Sequence, residues 1–514
     1  MTVLAVTNRQ LKKCSLYMVI LLVQFSTATP FAKAATAYTE PTHLPPNIVF
    51  IFTDDLGYGD IASYGAADIK TPSIDQIGED GVRFTQFYAI SPVCTPSRAG
   101  FLTGRYPVRM GIHHVFYATS VDGMPESELT IAEALRDSGY QTGMVGKWHL
   151  GHRDRFMPLN QGFDEFAGMP YSNDMVPYPF IKGTEIVDRN IDQTQLTRRL
   201  TEEATSFINA NRDNPFFLYV AHAMPHVPLY SSERFSGVSA RGAYGDAVEE
   251  IDWSVGEIRR ALEDNGILDN TLLVFSSDNG PWRIMGDDGG SAGTLRGGKG
   301  TTFEGGMRVP TLVMFPNTIP ANRVVEEPAT MLDWFPTFMH FAGIEKPVGK
   351  ELDGDDIHAL LTGEGSQQPA PREIAYYLKG EIGAYRKGDW KLKLPFSNPL
   401  PIPDFLFPVL SPESVVGIRS HDMLLFNLKD DPSESRNLID EHPEKVQELL
   451  QSIADWESGL GELPANITER DFYISPTVVA WLKLLAKIAA SSLLILVLLS
   501  ILTGFLIGRR RRRD

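Results

Sequence analysis

The sequence predicts an α/β fold, a mostly parallel sheet flanked by helices and followed by a smaller antiparallel sheet with one helix. Three observations predict it. Apolar, β-branched runs of strand length recur between residues 47 and 315, helix-period segments separate them, and from about Glu373 the pattern changes to short alternating segments. Unbroken apolar runs mark strands covered on both faces, whereas alternation marks strands with one face toward water.

The elements follow in chain order. After a Pro-rich entry (Pro41, Pro45, Pro46), Asn47–Thr53 reads NIVFIFT, a buried strand. Residues 142–145, Phe216–Ala221, 271–276 and 311–315 are runs of the same kind, and helical patterns cover 129–138, Leu196–Asn211 and 245–265. Segments 374–378, 384–386, 390–394 and 423–428 predict the small sheet, with a helix over Pro443–Gly459. Six prolines within 395–412 predict a loop between them.

Both ends of the chain carry targeting patterns. Basic residues Arg9, Lys12 and Lys13 precede an apolar run, and Ala32-Lys33-Ala34 offers a small-x-small cleavage site, so residues 1–34 read as a secretory signal peptide. Residues 488–507 carry no charge and are long enough to cross a membrane, and five arginines follow within 508–514. The positive-inside rule keeps those arginines in the cytoplasm. The expected organisation is a principal domain over 35–372, a small subdomain over 373–462, a tether over 463–487 and a spanning helix. This places the protein outside the cytoplasm, exported and anchored to the cell membrane.

Charge and cysteine usage exclude several functions. The net charge is −17, and about −25 once the signal peptide and the arginine tail are set aside. So acidic a protein lacks the basic face that sequence-independent nucleic-acid binding requires, and any anion it handles needs a local site. Cys14 and Cys94 are its two cysteines, which excludes a disulfide scaffold and a cysteine-built zinc cage. Cleavage after Ala34 leaves Cys94 alone.

In parallel sheets, ligands bind at the carboxyl ends of the strands. The first strand ends in Asp54 and Asp55, and the run over 271–276 leads to Asp278 and Asn279. Adjacent carboxylates repel one another, and a hard cation such as Ca²⁺ or Mg²⁺ relieves that cost. Lys147 and His149 stand two apart, hence on one side of an extended segment. His226 lies between Pro225 and Pro228 after an apolar strand, and Lys299 in a Gly-rich loop whose bare backbone admits an anion. Taken singly, each also reads as a surface or loop residue.

The stretch Cys94-Thr95-Pro96-Ser97-Arg98, with Leu102-Thr103-Gly104-Arg105 after it, resembles the signature of the sulfatase family. Further similar motifs are Thr53-Asp54-Asp55, Gly146-Lys147-Trp148-His149, Pro225-His226-Val227-Pro228, Asp278-Asn279-Gly280 and Gly298-Lys299-Gly300-Thr301. Pro170-Tyr171-Ser172 is similar to the arylsulfatase A and N-acetylgalactosamine-6-sulfatase branch. The resemblance implies an alkaline-phosphatase-like fold and hydrolysis of sulfate monoesters, with a phosphomonoester or phosphonate hydrolase as the alternative. A membrane-tethered anion- or glycan-binding module with a dead site is the non-enzymatic one.

The resemblance also assigns roles. A formylglycine-generating enzyme oxidises Cys94 to formylglycine before folding, and its hydrate is the nucleophile. Asp54, Asp55, Asp278, Asn279 and the residue at position 94 hold Ca²⁺, with Mg²⁺ also acceptable. Lys147 and Lys299 neutralise the sulfuryl oxygens, His226 protonates the leaving alcohol and His149 is the base that expels sulfate. Arg98 pairs with the metal carboxylates or the hydrate, and Ser172 hydrogen-bonds near the sulfate. Lys147, Ser172, His226 and Lys299 are thus the expected substrate-binding set, with specificity carried by loops 113–121 and 173–190.

Overall fold

Strand β1 (Asn47–Thr53) is wholly buried at the middle of a ten-stranded sheet in the computed structural model, which describes residues 45–345, 351–364, 371–395 and 422–468. The expected signal peptide, the proline-rich 396–412 and the span over 488–507 lie outside the described residues. Among the described residues, no helix is long and apolar enough to cross a membrane.

The other strands of the principal domain are β2 (Val82–Phe84), β3 (Phe87–Tyr88), β4 (Gln141–Lys147), β5 (Glu165–Met169), β6 (Phe180–Lys182), β7 (Glu185–Asp188), β8 (Phe216–Ala221), β9 (Thr271–Ser277), β10 (Thr311–Met314), β11 (Arg323–Val325) and β12 (Ala329–Thr330). Their order in the main sheet is β11-β2-β10-β9-β1-β8-β4-β5-β6-β7, and β3 pairs with β12 apart from it. The block β9-β1-β8-β4-β5 is parallel throughout. Beyond it, β10 runs antiparallel to β9, and β6 and β7 form an antiparallel edge.

The alternation along β1 explains its unbroken apolar run. Ile48, Phe50 and Phe52 join one buried cluster, and Val49 and Ile51 the other. On the first face pack α1 (Cys94–Thr103) and α2 (Trp334–Ala342), where Phe50 and Phe101 stack at 4.1 Å. On the second pack the helices Leu196–Asn211 and Gly242–Asp264. Each fully buried Leu, Ile or Phe contributes about 1.5–3 kcal/mol, so the two-sided core fixes which strand ends meet.

The small sheet comprises β13 (Glu373–Leu378), β14 (Glu381–Lys387), β15 (Trp390–Lys393) and β16 (Leu424–Asn427), antiparallel in that order. The predicted helix Pro443–Gly459 packs beside it, with Trp456 Nε1 donating to the Tyr377 hydroxyl at 3.1 Å. A buried charge cluster joins this sheet to the principal domain: Lys391 Nζ lies 2.9 Å from both Glu304 and Glu434. Of the expected tether, residues 463–468 lie along the principal domain. The Ile467 amide donates to the Gly111 carbonyl at 2.9 Å, and the His113 amide donates to Thr468 Oγ1 at 3.3 Å.

Candidate active site

The carboxyl ends of β1, β4, β8 and β9 converge on the N-terminus of α1. Cys94 is the first residue of that helix and is 2% exposed. The helix aims its unpaired amides and the positive end of its dipole at this point, a setting that favours an anion. Burial pushes the Cys94 thiol up to about 12 despite Lys147 and Lys299 nearby. A thiol so placed stays protonated at neutral pH and is a poor nucleophile.

One turn on, Arg98 is fully buried. Its Nε and Nη2 donate to Asp278 Oδ2 at 3.0 and 2.8 Å, its Nη1 donates to the Lys147 carbonyl at 2.9 Å, and Nη2 lies 3.8 Å from Asp54 Oδ1. Lys147 Nζ pairs with Asp54 Oδ2 and donates to Ser172 Oγ at 3.2 Å. Burial works against ionised Asp54, yet Lys147, His226, Arg98 and Lys299 hold its carboxyl well below the usual carboxylate range. Lys299 Nζ donates to Asp55 Oδ2 at 2.7 Å and sits 4.4 Å from the centre of the Trp282 ring. Asn279 Nδ2 donates to Asp55 Oδ1 at 2.7 Å.

The backbone here is unusual in ways the site requires. Asp55 (φ 64°) and His149 (φ 61°) are left-handed, a conformation that costs a non-glycine residue about 1–2 kcal/mol. Gly280, after the Asp278-Asn279 pair, has no room for a side chain: a Cβ would sit 1.8 Å from the Gly305 carbonyl oxygen. That contact brings the Lys299 loop against the Asp278-Asn279 loop.

The two histidines differ in tautomer. His149 Nε2 lies 2.9 Å from the Phe116 carbonyl, which can only accept, so the proton is on Nε2 and Nδ1 carries a lone pair. Burial, with Lys147 and Arg98 nearby, holds this imidazole far below its ordinary value and therefore neutral. His226 Nδ1 faces the Val227 carbonyl at 2.5 Å and Asn173 Oδ1 at 3.1 Å, so Nδ1 carries the hydrogen and Nε2 is the exchangeable position, 3.6 Å from Asp55 Oδ2. His222, closer to β8, bonds Ser254 at 3.3 Å within the core and takes no part.

The donor set fits a hard divalent cation. Asp54 Oδ1 and Asn279 Oδ1 are buried oxygens with no hydrogen-bond partner, as is His149 Nδ1 among nitrogens. Ligand atoms of Asp54, Cys94 and Asp278 all lie within 4.8 Å of one another. Buried polar atoms are nearly always paired, so two bare oxygens in a site where three ligand atoms already converge favour a cation there. Arg98, Lys147 and Lys299 face Asp54, Asp55 and Asp278, the last pushed up to about 7 by burial and by Asp54, and a divalent cation would offset that crowding of carboxylates.

Every site residue expected from the sequence lies in this cluster. Two contributors escape the motifs. Asn173 orients His226, its Nδ2 also donating to the His226 and Pro228 carbonyls at 3.2 and 2.9 Å, and Trp282 lies beneath Lys299. The only sequence signal for either is its nearness to Ser172 or Asn279.

The family description Sulfatase matches residues 46–344. Arylsulfatase A of Bos taurus is 38% identical over 82% of this chain and 89% of its own length. N-acetylgalactosamine-6-sulfatase of Canis lupus familiaris is 40% identical over 68% of this chain and 71% of its own. A solved structure from work on the metabolism of multiple glycosaminoglycans by Bacteroides thetaiotaomicron superposes with a TM-score of 0.73 at 28% identity, covering 81% of this chain and 100% of its own. A phosphonate monoester hydrolase of Agrobacterium radiobacter shares the fold alone, at a TM-score of 0.57 and 18% identity. Strand-end carboxylates, a buried Cys94 at a helix start and these likenesses agree: the chain belongs to the sulfatase family and is a sulfuric ester hydrolase.

Proposed function

We propose that the protein hydrolyses sulfate monoesters, carried by an aryl group, a carbohydrate or a lipid, through formylglycine at position 94 and a divalent cation. The observation that carries this reading is the convergence of Asp54, Asp278 and Cys94, with Asp54 Oδ1, Asn279 Oδ1 and His149 Nδ1 buried and unpartnered in the same site. Asp54, Asp55, Asp278 and Asn279 would hold the cation, Ca²⁺ by the family resemblance, with Mg²⁺ compatible with the same oxygens. When present, the hydrated aldehyde supplies the attacking hydroxyl and the cation supplies Lewis acidity.

The chain's own residues perform the rest. Lys147 and Lys299 place two ammonium groups beside the carboxylates, where they neutralise charge that grows on sulfuryl oxygens. Ser172 Oγ, held by Lys147 Nζ at 3.2 Å, orients a donor toward the same group. His226 moves a proton at Nε2 to the leaving alcohol, its ring fixed through Nδ1 by Val227 and Asn173. His149 accepts a proton at Nδ1, the nitrogen left free by the Phe116 bond. Arg98 holds Asp278 in place.

The test compares p-nitrophenyl sulfate with p-nitrophenyl phosphate and maps the peptide containing position 94 with a hydrazine probe. Faster sulfate turnover with an aldehyde at 94 is expected. Preference for the phosphate, or active protein carrying only the thiol, would overturn the reading. The hydrophobic run at 488–507 and its arginines further support export with anchoring to the cell membrane, a placement that fractionation of intact cells tests.

A further inference from the structure

We propose that His340, Asp356 and His358 form a second metal site, selective for a borderline transition-metal ion such as Zn²⁺ and separate from the catalytic cation. His340 is in the last turn of α2, and His358 is the first residue of the short helix α3 (His358–Thr362). Asp356 stands between the two histidines in space: its Oδ2 lies 2.8 Å from His340 Nδ1 and 2.9 Å from His358 Nδ1. The two imidazoles stack with centroids 3.6 Å apart and planes 13° from parallel. Three donor atoms, two nitrogens and one oxygen, thereby converge within 4.8 Å.

The chemistry of the three donors selects the ion. Two imidazole nitrogens with one carboxylate oxygen suit Zn²⁺, Cu²⁺ or Ni²⁺, whereas Ca²⁺ and Mg²⁺ prefer oxygen alone. Tetrahedral Zn²⁺ bonds of about 2.0–2.1 Å put neighbouring donors roughly 3.3 Å apart, so the two Asp356–imidazole separations open by about half an ångström and the near-parallel rings tilt to bring both Nδ1 lone pairs onto the ion. The side chains are between 25 and 44% exposed, which leaves a fourth position for water.

The scaffold holds the carboxylate ligand without the ion. Asp356 Oδ1 accepts from the His358 amide at 3.0 Å, which turns Oδ2 toward the rings. On either side, the Ile357 amide donates to Thr337 Oγ1 at 3.0 Å and the Asp355 amide to Asp333 Oδ1 at 2.8 Å. Both bonds tie the Asp356 segment to the helix that carries His340 or to the residue before it. A carboxylate fixed this way binds with little ordering cost of its own. A bound ion would staple α3 to α2, and none of the three ligands belongs to the catalytic cluster.

The experiment uses the full, matured chain in excess Ca²⁺, which keeps the catalytic site filled, and titrates it with Zn²⁺ by calorimetry and with Co²⁺ by visible absorption. One equivalent is expected to bind wild type, with at least tenfold weaker binding in His340→Gln and in Asp356→Asn. Melting without Zn²⁺ and sulfate-ester turnover should stay unchanged in His340→Gln, whose side chain is half exposed. Absence of binding to wild type, or an isotherm unaltered by both substitutions, would overturn the proposal. Two neutral histidines that merely donate to Asp356 would give the first of those results.

Discussion

Arg98 and Asp278 form the buried pair on which the site is built: two guanidinium nitrogens donate to one carboxylate oxygen, and the other oxygen accepts the Asp55 amide at 3.1 Å. Through its third nitrogen, Arg98 also reaches the end of β4. One side chain of α1 thereby links three strand ends.

Substituting Arg98 by Met removes the guanidinium that opposes burial and Asp54 at the Asp278 carboxyl, and leaves that group buried and short of its partner. Breaking a buried pair in this way costs about 3–5 kcal/mol. The urea midpoint should fall accordingly. Arg98→Lys, which keeps the charge but loses the fork, should fall less. Equal midpoints for wild type and Arg98→Met would mean the pair does not brace the site.

Cys94→Ala and Cys94→Ser separate two parts of the proposed chemistry. Alanine removes the nucleophile and should abolish turnover with little change in stability. Serine can attack once, but it lacks the second hydroxyl needed to expel sulfate, so one sulfuryl group should remain on the protein. Intact mass after incubation with substrate reads this directly. Normal turnover by Cys94→Ser would rule out the formylglycine route.

Cation dependence follows from the bare oxygens of Asp54 and Asn279. Asp278→Ala should lose the bound ion and at least a hundredfold in turnover, in line with removal of a key electrostatic stabiliser. Elemental analysis and rate measurements on chelated and reloaded protein check it. Full activity after chelation would contradict the assignment.

His222 gives a pH signature outside the site. Burial pushes its imidazole down to about 4, whereas in the unfolded chain it titrates near 6.5. Between these values the unfolded state binds a proton that the folded state refuses. The contribution of His222 is therefore complete above about pH 6.5 and is lost as pH falls through 4, about 3 kcal/mol in all. His222→Gln should show a shallower loss of stability between pH 6.5 and 4 in urea titrations. An equally steep loss would place the acid sensitivity elsewhere.

Docking of residues 463–468 refines where the soluble enzyme can end. On the anchoring proposed above, protein truncated after Thr468 should leave the membrane fraction with its melting temperature intact. Truncation after Leu460 removes the Ile467 and Thr468 bonds, each worth about 1 kcal/mol, and should melt lower. Membrane association of the first truncation would overturn the proposal that 488–507 is an anchor.

The sequence was most legible where packing is simplest. The bounds of β1, β8 and the helix Leu196–Asn211 coincide with their patterns, because each element is covered or half-covered along its whole length. Strand β5 escaped notice because close approach to β4 demands small residues: a Cβ on Gly168 would lie 2.0 Å from the Gly146 carbonyl oxygen. Helix α1 shows no amphipathic stripe because all ten of its residues are buried. The direction of β10 is set by the connection that leads into it, and composition carries no trace of that. The strand-end carboxylates could be read from position alone, whereas Asn173 acts through a bond to His226 that no spacing foretells.

Burial of Cys94 sets a clock. Its surroundings come from residues 54, 147, 278 and 299, and β1 finds its neighbours only when 216–221 and 271–277 have been made and threaded beside it. Sheets closed by such distant segments form slowly compared with helical bundles. On the proposed formylglycine route a modifying enzyme would have that interval and no longer, for at 2% exposure the side chain is out of reach once the strands close. On that route the proportion of working molecules would be decided by a race between catalysis on an open chain and collapse of that chain. Conditions that hasten folding, or variants that stabilise the nucleus, should yield well-folded protein with fewer competent sites.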